Sequence, residues 1–121
     1  MLLVLLLIVV SWLALMPKPP PTLDLGWDKL NHMAAFAALA FTASLGWPGS
    51  VRMRALVLGA LLAYGGLIEL VQMQVPGRSA EWADLVADAV GLLVGAASAS
   101  LLLHGSRRRP ALHARQGFNG P

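Results

Sequence analysis

The sequence has no cysteine and little charge: Asp, Glu, Lys and Arg together make up 12% of 121 residues. Without cysteine there is no disulfide, no thiol catalysis and no thiolate-bound metal. A soluble domain carries roughly twice that charged fraction, about 25%. So little charge cannot coat a water-facing globule of this length, and 57% of the residues are hydrophobic. Lipid is the solvent this composition fits. Aromatic residues are also scarce, at 7%. No aromatic-basic platform is present, which argues against nucleic acid as a partner despite a formal charge of +3. No strand alternation and no internal repeat can be found.

What is present is a series of apolar runs divided by proline, glycine and charge. Leu2 to Met16 is apolar apart from Ser11, and Pro17, Pro19, Pro20 and Pro21 end it. No basic residue precedes the run and no small-x-small cleavage site lies near Met16, so it reads as a short or tilted first helix in preference to a signal peptide. The further runs predict helices over about 30–47, 55–75 and 80–103. Pro48-Gly49-Ser50 and Pro76-Gly77-Arg78-Ser79 form the breaks. Ser79 suits the N-cap of the last helix, with Glu81 in its first turn. Lipid-exposed backbone must satisfy its own hydrogen bonds, so helices are the default for spanning segments. The expected fold is all-α, a compact bundle of four transmembrane helices over residues 1–103. A basic, disordered cytoplasmic tail is expected over 104–121.

Basic residues orient the bundle. Arg52, Arg54, Arg107, Arg108, Arg109 and Arg115 flank one side, and Lys18, Lys29 and Arg78 the other. Six against three predicts both termini in the cytoplasm, as in a multi-pass membrane protein. Trp12, Trp27 and Trp82 then fall at the outer interface and Trp47 at the inner one, where tryptophan is favoured.

On this topology Asp28, Lys29, His32, Glu69, Gln72, Arg78, Glu81, Asp84 and Asp88 all lie at or near the outer surface. At about 100° per residue, Asp84, Asp88, Gly91 and Gly95 fall within about 60° of one another on one helix face. Gly91-x-x-x-Gly95 marks close approach by another helix, so the acidic stripe is expected to face the bundle. Gly65, Glu69 and Gln72 share a face in the third helix; Asp28, His32, Ala35 and Leu39 share one in the second. Glu69 is the hardest to explain as structure alone, because an ionised carboxylate in hydrocarbon costs several kcal/mol unless it is paired or hydrated. A lock with Arg78 or Lys29 is the structural alternative. Asp28 fits an N-cap equally well, and Glu81 fits a first-turn residue with no further role.

Asp28, His32, Glu69, Asp84 and Asp88 offer enough oxygen and nitrogen ligands for a divalent cation, the candidate cofactor. Lys29 and Arg78 offer direct anion contacts. His32, Glu69 and Asp84 are the candidate acid-base residues of an enzyme, although no spacing matches a hydrolase or zinc motif. The inner helix halves hold few polar residues, Thr42, Ser44 and Ser98 among them, which argues against a transport path. Glycine faces serve a homo-oligomer as well as a monomeric bundle.

Asp28-Lys29-x-x-His32, Ile68-Glu69-Leu70-x-Gln72, Pro76-Gly77-Arg78-Ser79 and Asp84-Leu85-x-Ala87-Asp88-x-x-Gly91, in this order, resemble the VanZ-like family. The resemblance covers residues 28–95 in motifs and about 2–103 in layout. It implies a four-helix bacterial membrane protein, with Asp28, Lys29, His32, Glu69, Gln72, Arg78, Ser79, Asp84 and Asp88 at the motif positions. The founding member is associated with low-level teicoplanin resistance. The sequence departs from the pattern at Asp88, where asparagine is frequent, and at Met33, where an aromatic is common. Three functions are carried forward: binding of a lipid or cell-envelope head group, an enzyme acting on a phospholipid or polyprenyl-phosphate head group, and a structural protein with a closed salt-bridge network.

Overall fold

The computed structural model describes residues 1–17, 28–78 and 80–107, with residue 28 described in its backbone only. Four helices follow in order: α1 (Leu2–Leu15), α2 (Asp28–Gly46), α3 (Val51–Gln72) and α4 (Trp82–Arg107). No strand occurs among the described residues.

The boundaries follow local chemistry. α3 begins four residues earlier than the apolar run suggested, because Ser50 caps it: the Ser50 hydroxyl accepts from the Met53 amide at 3.1 Å. It ends at Gln72, three residues earlier than expected. Pro76 disfavours helical backbone in the residue before it, and Gln74 and Val75 turn back onto the Val71 and Gln72 carbonyls. Gly77 completes this turn at φ +80, a left-handed conformation that suits glycine. α4 runs to Arg107, four residues past the expected end. His104 Nδ1 lies 2.7 Å from the Ser100 carbonyl in the extra turn. The tail expected from residue 104 is therefore helical as far as 107, and its remainder lies outside the described residues.

α3 and α4 are long and apolar enough to cross a membrane. At 1.5 Å per residue they extend about 33 and 39 Å, against a hydrocarbon core of about 30 Å. Only 28% and 33% of their apolar windows are buried inside the molecule. The core helix of a soluble protein would be mostly buried, so this exposure favours a lipid-facing surface. α1, at 14 residues, is apolar but shorter.

The core is centred on α2. Phe36, Leu39, Ala40 and Ala43 are buried against Leu61 of α3 and Leu92 of α4, with Leu3, Leu6, Leu7 and Val10 of α1 packed on the outside. The closest pairing is α2 with α4. It depends on Gly91 and Gly95: a Cβ on Gly91 would collide with the Met33 carbonyl oxygen, and one on Gly95 with the Ala37 carbonyl oxygen. The Gly-x-x-x-Gly pair is thus the surface on which α2 lies.

Polar groups tie α1 to the rest. Tyr64 of α3 donates to the Leu7 carbonyl at 3.2 Å and shares a 2.7 Å hydrogen bond with Ser11. Sequence reasoning missed this link, although the signal was present: Ser11 is the one polar residue in its run and Tyr64 the single tyrosine.

Candidate functional site

The C-terminal end of α3 meets the N-terminal ends of α2 and α4, and there the charged residues converge. Asp84 and Asp88 stand one turn apart on α4 and are 1% and 0% exposed. Glu69 approaches from α3 and is 8% exposed. His32 comes from the second turn of α2. Its Nδ1 lies 2.9 Å from Asp88 Oδ1, within hydrogen-bonding range, and its Nε2 lies 3.6 Å from Glu69 Oε1. The imidazole thus stands between two carboxylates from two other helices. His32, Glu69 and Asp88 each present a donor atom within 4.8 Å of the others.

Two features hold these groups in place. Asp88 Oδ2 sits over Gly65, where a Cβ would come within 2.6 Å of it. The missing side chain makes the room that the carboxylate occupies. Phe36 closes the same space from α2, since its ring would be 3.0 Å from that Cβ. Both Glu69 oxygens are buried without a hydrogen bond inside 3.5 Å, and the Glu81 backbone amide is directed at the carboxylate from longer range. Groups of this kind are rare in folded proteins and call for an explanation.

Lys29 forms an outer layer. Its ammonium donates to Glu81 Oε2 at 2.9 Å and lies 3.6 Å from Asp84 Oδ1. The Lys29 hydrogen bond, and then its charge, holds the Glu81 carboxyl below the usual glutamate range. Glu81 is half exposed, with 54% of its side chain accessible, so this is a solvated tie between α2 and the start of α4. It gives Glu81 a partner beyond the helix dipole.

Gln72 and Arg78 face elsewhere. Gln72 Nε2 donates to the Ala14 carbonyl at 2.9 Å. Arg78 donates from Nη2 to Leu13 at 2.8 Å and from Nε to Met16 at 3.0 Å. Both residues cover the last carbonyls of α1, which have no partner within their own helix. A guanidinium also complements the negative end of the helix dipole. Sequence reasoning placed both near the cluster but missed this capping. The signal was the short first helix, which ends in proline and has no polar cap of its own. The structural alternative considered for Glu69, a lock with Arg78 or Lys29, is not the pairing found: its ionisable neighbour at 3.6 Å is His32. Ser79, Trp27 and the Asp28 side chain lie outside the described residues.

Chemically, the arrangement offers one imidazole oriented by a carboxylate, a second carboxylate facing that ring, and a third beside an ammonium. Such a set can hold a cation, move a proton or order a polar head group. No curated protein and no solved structure matches the chain. A family model described as VanZ/LLP1 matches residues 3–103, which takes in the four helices except Leu2 and the last four residues of α4, and every residue of the cluster. The chain belongs to the VanZ/LLP1 family.

Proposed function

We propose that this protein is a four-span membrane bundle whose outward-facing cluster binds the polar head group of a lipid or lipid-linked cell-envelope precursor. The observation that carries the reading is the convergence of His32, Glu69, Asp84 and Asp88 at one end of an otherwise apolar bundle. Buried ionisable groups in membrane helices are costly, and they are usually kept for function. The basic flanks support the orientation. Arg52 and Arg54 occupy the first turn of α3, against the helix dipole. Arginines in that position fit a role in holding the Ser50 loop on the cytoplasmic side of the inner membrane. α1, as a short or tilted helix, and α2 complete the four spans, with the basic tail in the cytoplasm.

The founding member's association with teicoplanin resistance fits a protein that engages envelope precursors. A second reading, an enzyme acting on a head group, is favoured by the Asp88-His32 pair, in which a carboxylate orients an imidazole as in many general bases. One experiment separates the two. Envelope lipids and lipid-linked precursors are compared by mass spectrometry from cells making wild type or Glu69→Gln at matched membrane abundance. A species that changes only with wild type identifies an enzyme and its product. Unchanged lipids, with head-group binding lost in the variant, identify a binding protein. Unchanged lipids with unchanged binding remove Glu69 from function.

A further inference from the structure

We propose that His32 Nε2 and the Glu69 carboxylate hold a divalent transition-metal ion between them, with Asp88 orienting the histidine. The inference deepens the reading of this cluster as a head-group site and rests on it.

His32 Nε2 and Glu69 Oε1 are 3.6 Å apart. That exceeds the usual 2.7–3.2 Å of an N–H···O hydrogen bond. With Zn–N and Zn–O bonds of roughly 2.0–2.2 Å, two ligands on one edge of a tetrahedron stand about 3.4 Å apart. The gap fits a shared ion better than a shared proton.

The second observation is Glu69 itself. Its two buried oxygens make no close hydrogen bond, the Glu81 backbone amide being directed at the carboxylate from longer range, and it faces a ring whose other nitrogen is engaged by Asp88 at 2.9 Å. In the tautomer with the proton on Nδ1, Nε2 points a lone pair at the carboxylate. Two electron-rich atoms then face each other, and a cation between them satisfies both. Metal-bound histidines characteristically donate their other N–H to a carboxylate, which is the part Asp88 plays here. One imidazole with carboxylate oxygen suits zinc or manganese better than the all-oxygen preference of calcium or magnesium. Two protein ligands leave coordination positions for phosphate oxygens, so the ion would give an acidic cluster affinity for an anionic head group.

Zinc is the probe. The full chain, purified in detergent and stripped with chelator, is incubated with zinc chloride and passed through gel filtration, and its metal content is measured. The expected result is one zinc per chain for wild type and none above background for Glu69→Gln. Asp88→Asn should bind more weakly, on the order of 10–100-fold, because it alters a supporting group and not a ligand. Circular dichroism and elution volume check each variant's fold. Should Glu69→Gln fail to fold, wild type alone decides: zinc must raise its Tm, since a ligand of the native state stabilises it. Wild type that retains no zinc and shows no rise in Tm overturns the proposal. Zinc binding with lipids and head-group binding indifferent to Glu69 would remove the head-group reading and leave the ion. Lipids or head-group binding that depend on Glu69 without zinc binding would do the reverse.

Discussion

At Gly65 the absence of a side chain makes room for Asp88. Because Asp88 is fully buried and tied to His32, it cannot swing away from a new methyl group. Gly65→Ala should therefore destabilise the protein by about 1–3 kcal/mol, as overpacking does. Gly59→Ala is the control. Nothing lies within 4 Å of a Cβ there, and alanine is the better helix former by about 1 kcal/mol. Thermal unfolding in detergent should move in opposite directions for the two variants. The Lys29-Glu81 pair makes a separate prediction. The Glu81 carboxyl titrates below its usual value of 4.5 in the folded chain. Its contribution to stability is thus complete above about that pH, and it is lost as pH falls through the lower folded value. Tm curves for wild type and Glu81→Gln should be separated at neutral pH and converge under acid. Curves that stay equally separated at every pH would show that the ion pair is not the source of the difference.

At the scale of the helix, α4 depends on two missing side chains. The atoms that a methyl group on Gly91 or Gly95 would meet belong to α2 backbone, which cannot rotate aside. Gly91→Ala should force the helices apart and cost more than Gly65→Ala, near the top of the 1–3 kcal/mol range or about beyond it. It should also disorganise the cluster, because His32 and Asp88 lie on the two helices being separated. Chemical denaturation, read alongside zinc retention, checks both effects. Arg78 works in the same way on α1. Arg78→Lys keeps the charge but loses the planar fork that reaches two carbonyls at once. Hydrogen exchange over residues 13–16 should rise in this variant while α2 and α4 stay protected.

Much of this was legible in the sequence, and for identifiable reasons. Four apolar runs and their proline and glycine breaks located the helices, because hydrophobic burial and backbone satisfaction act locally. The Asp84-Asp88-Gly91-Gly95 stripe announced a buried face, since the α-helical period fixes which residues share it. The exact partners were not legible. Which carbonyls Arg78 would reach, or that His32 would stand between Glu69 and Asp88, depends on how helices far apart in sequence are rotated against one another. The start of α3 and the end of α4 differ from expectation because hydropathy marks where a run is apolar, whereas the Ser50 cap decides where α3 begins and a continuing backbone ladder decides where α4 stops.

For the whole molecule, the proposed orientation has a direct test. Because the chain has no cysteine, single cysteines report position without background. Pro76→Cys should react with a membrane-impermeant thiol reagent in intact spheroplasts. Pro48→Cys should react only after the membrane is opened. The reverse pattern would place the cluster in the cytoplasm and end the envelope-precursor reading.

The capping of α1 also has a consequence for biosynthesis. The residues that close its C-terminal end stand 58, 62 and 65 positions further along the chain. At roughly 5–20 residues per second, the ribosome completes them on the order of 3–13 s after the helix they secure. During that interval a helix of 14 residues has open carbonyls and no finished neighbour. Its final seat is set only when the segment between α3 and α4 arrives, so assembly of this protein closes from its third connection back to its first helix.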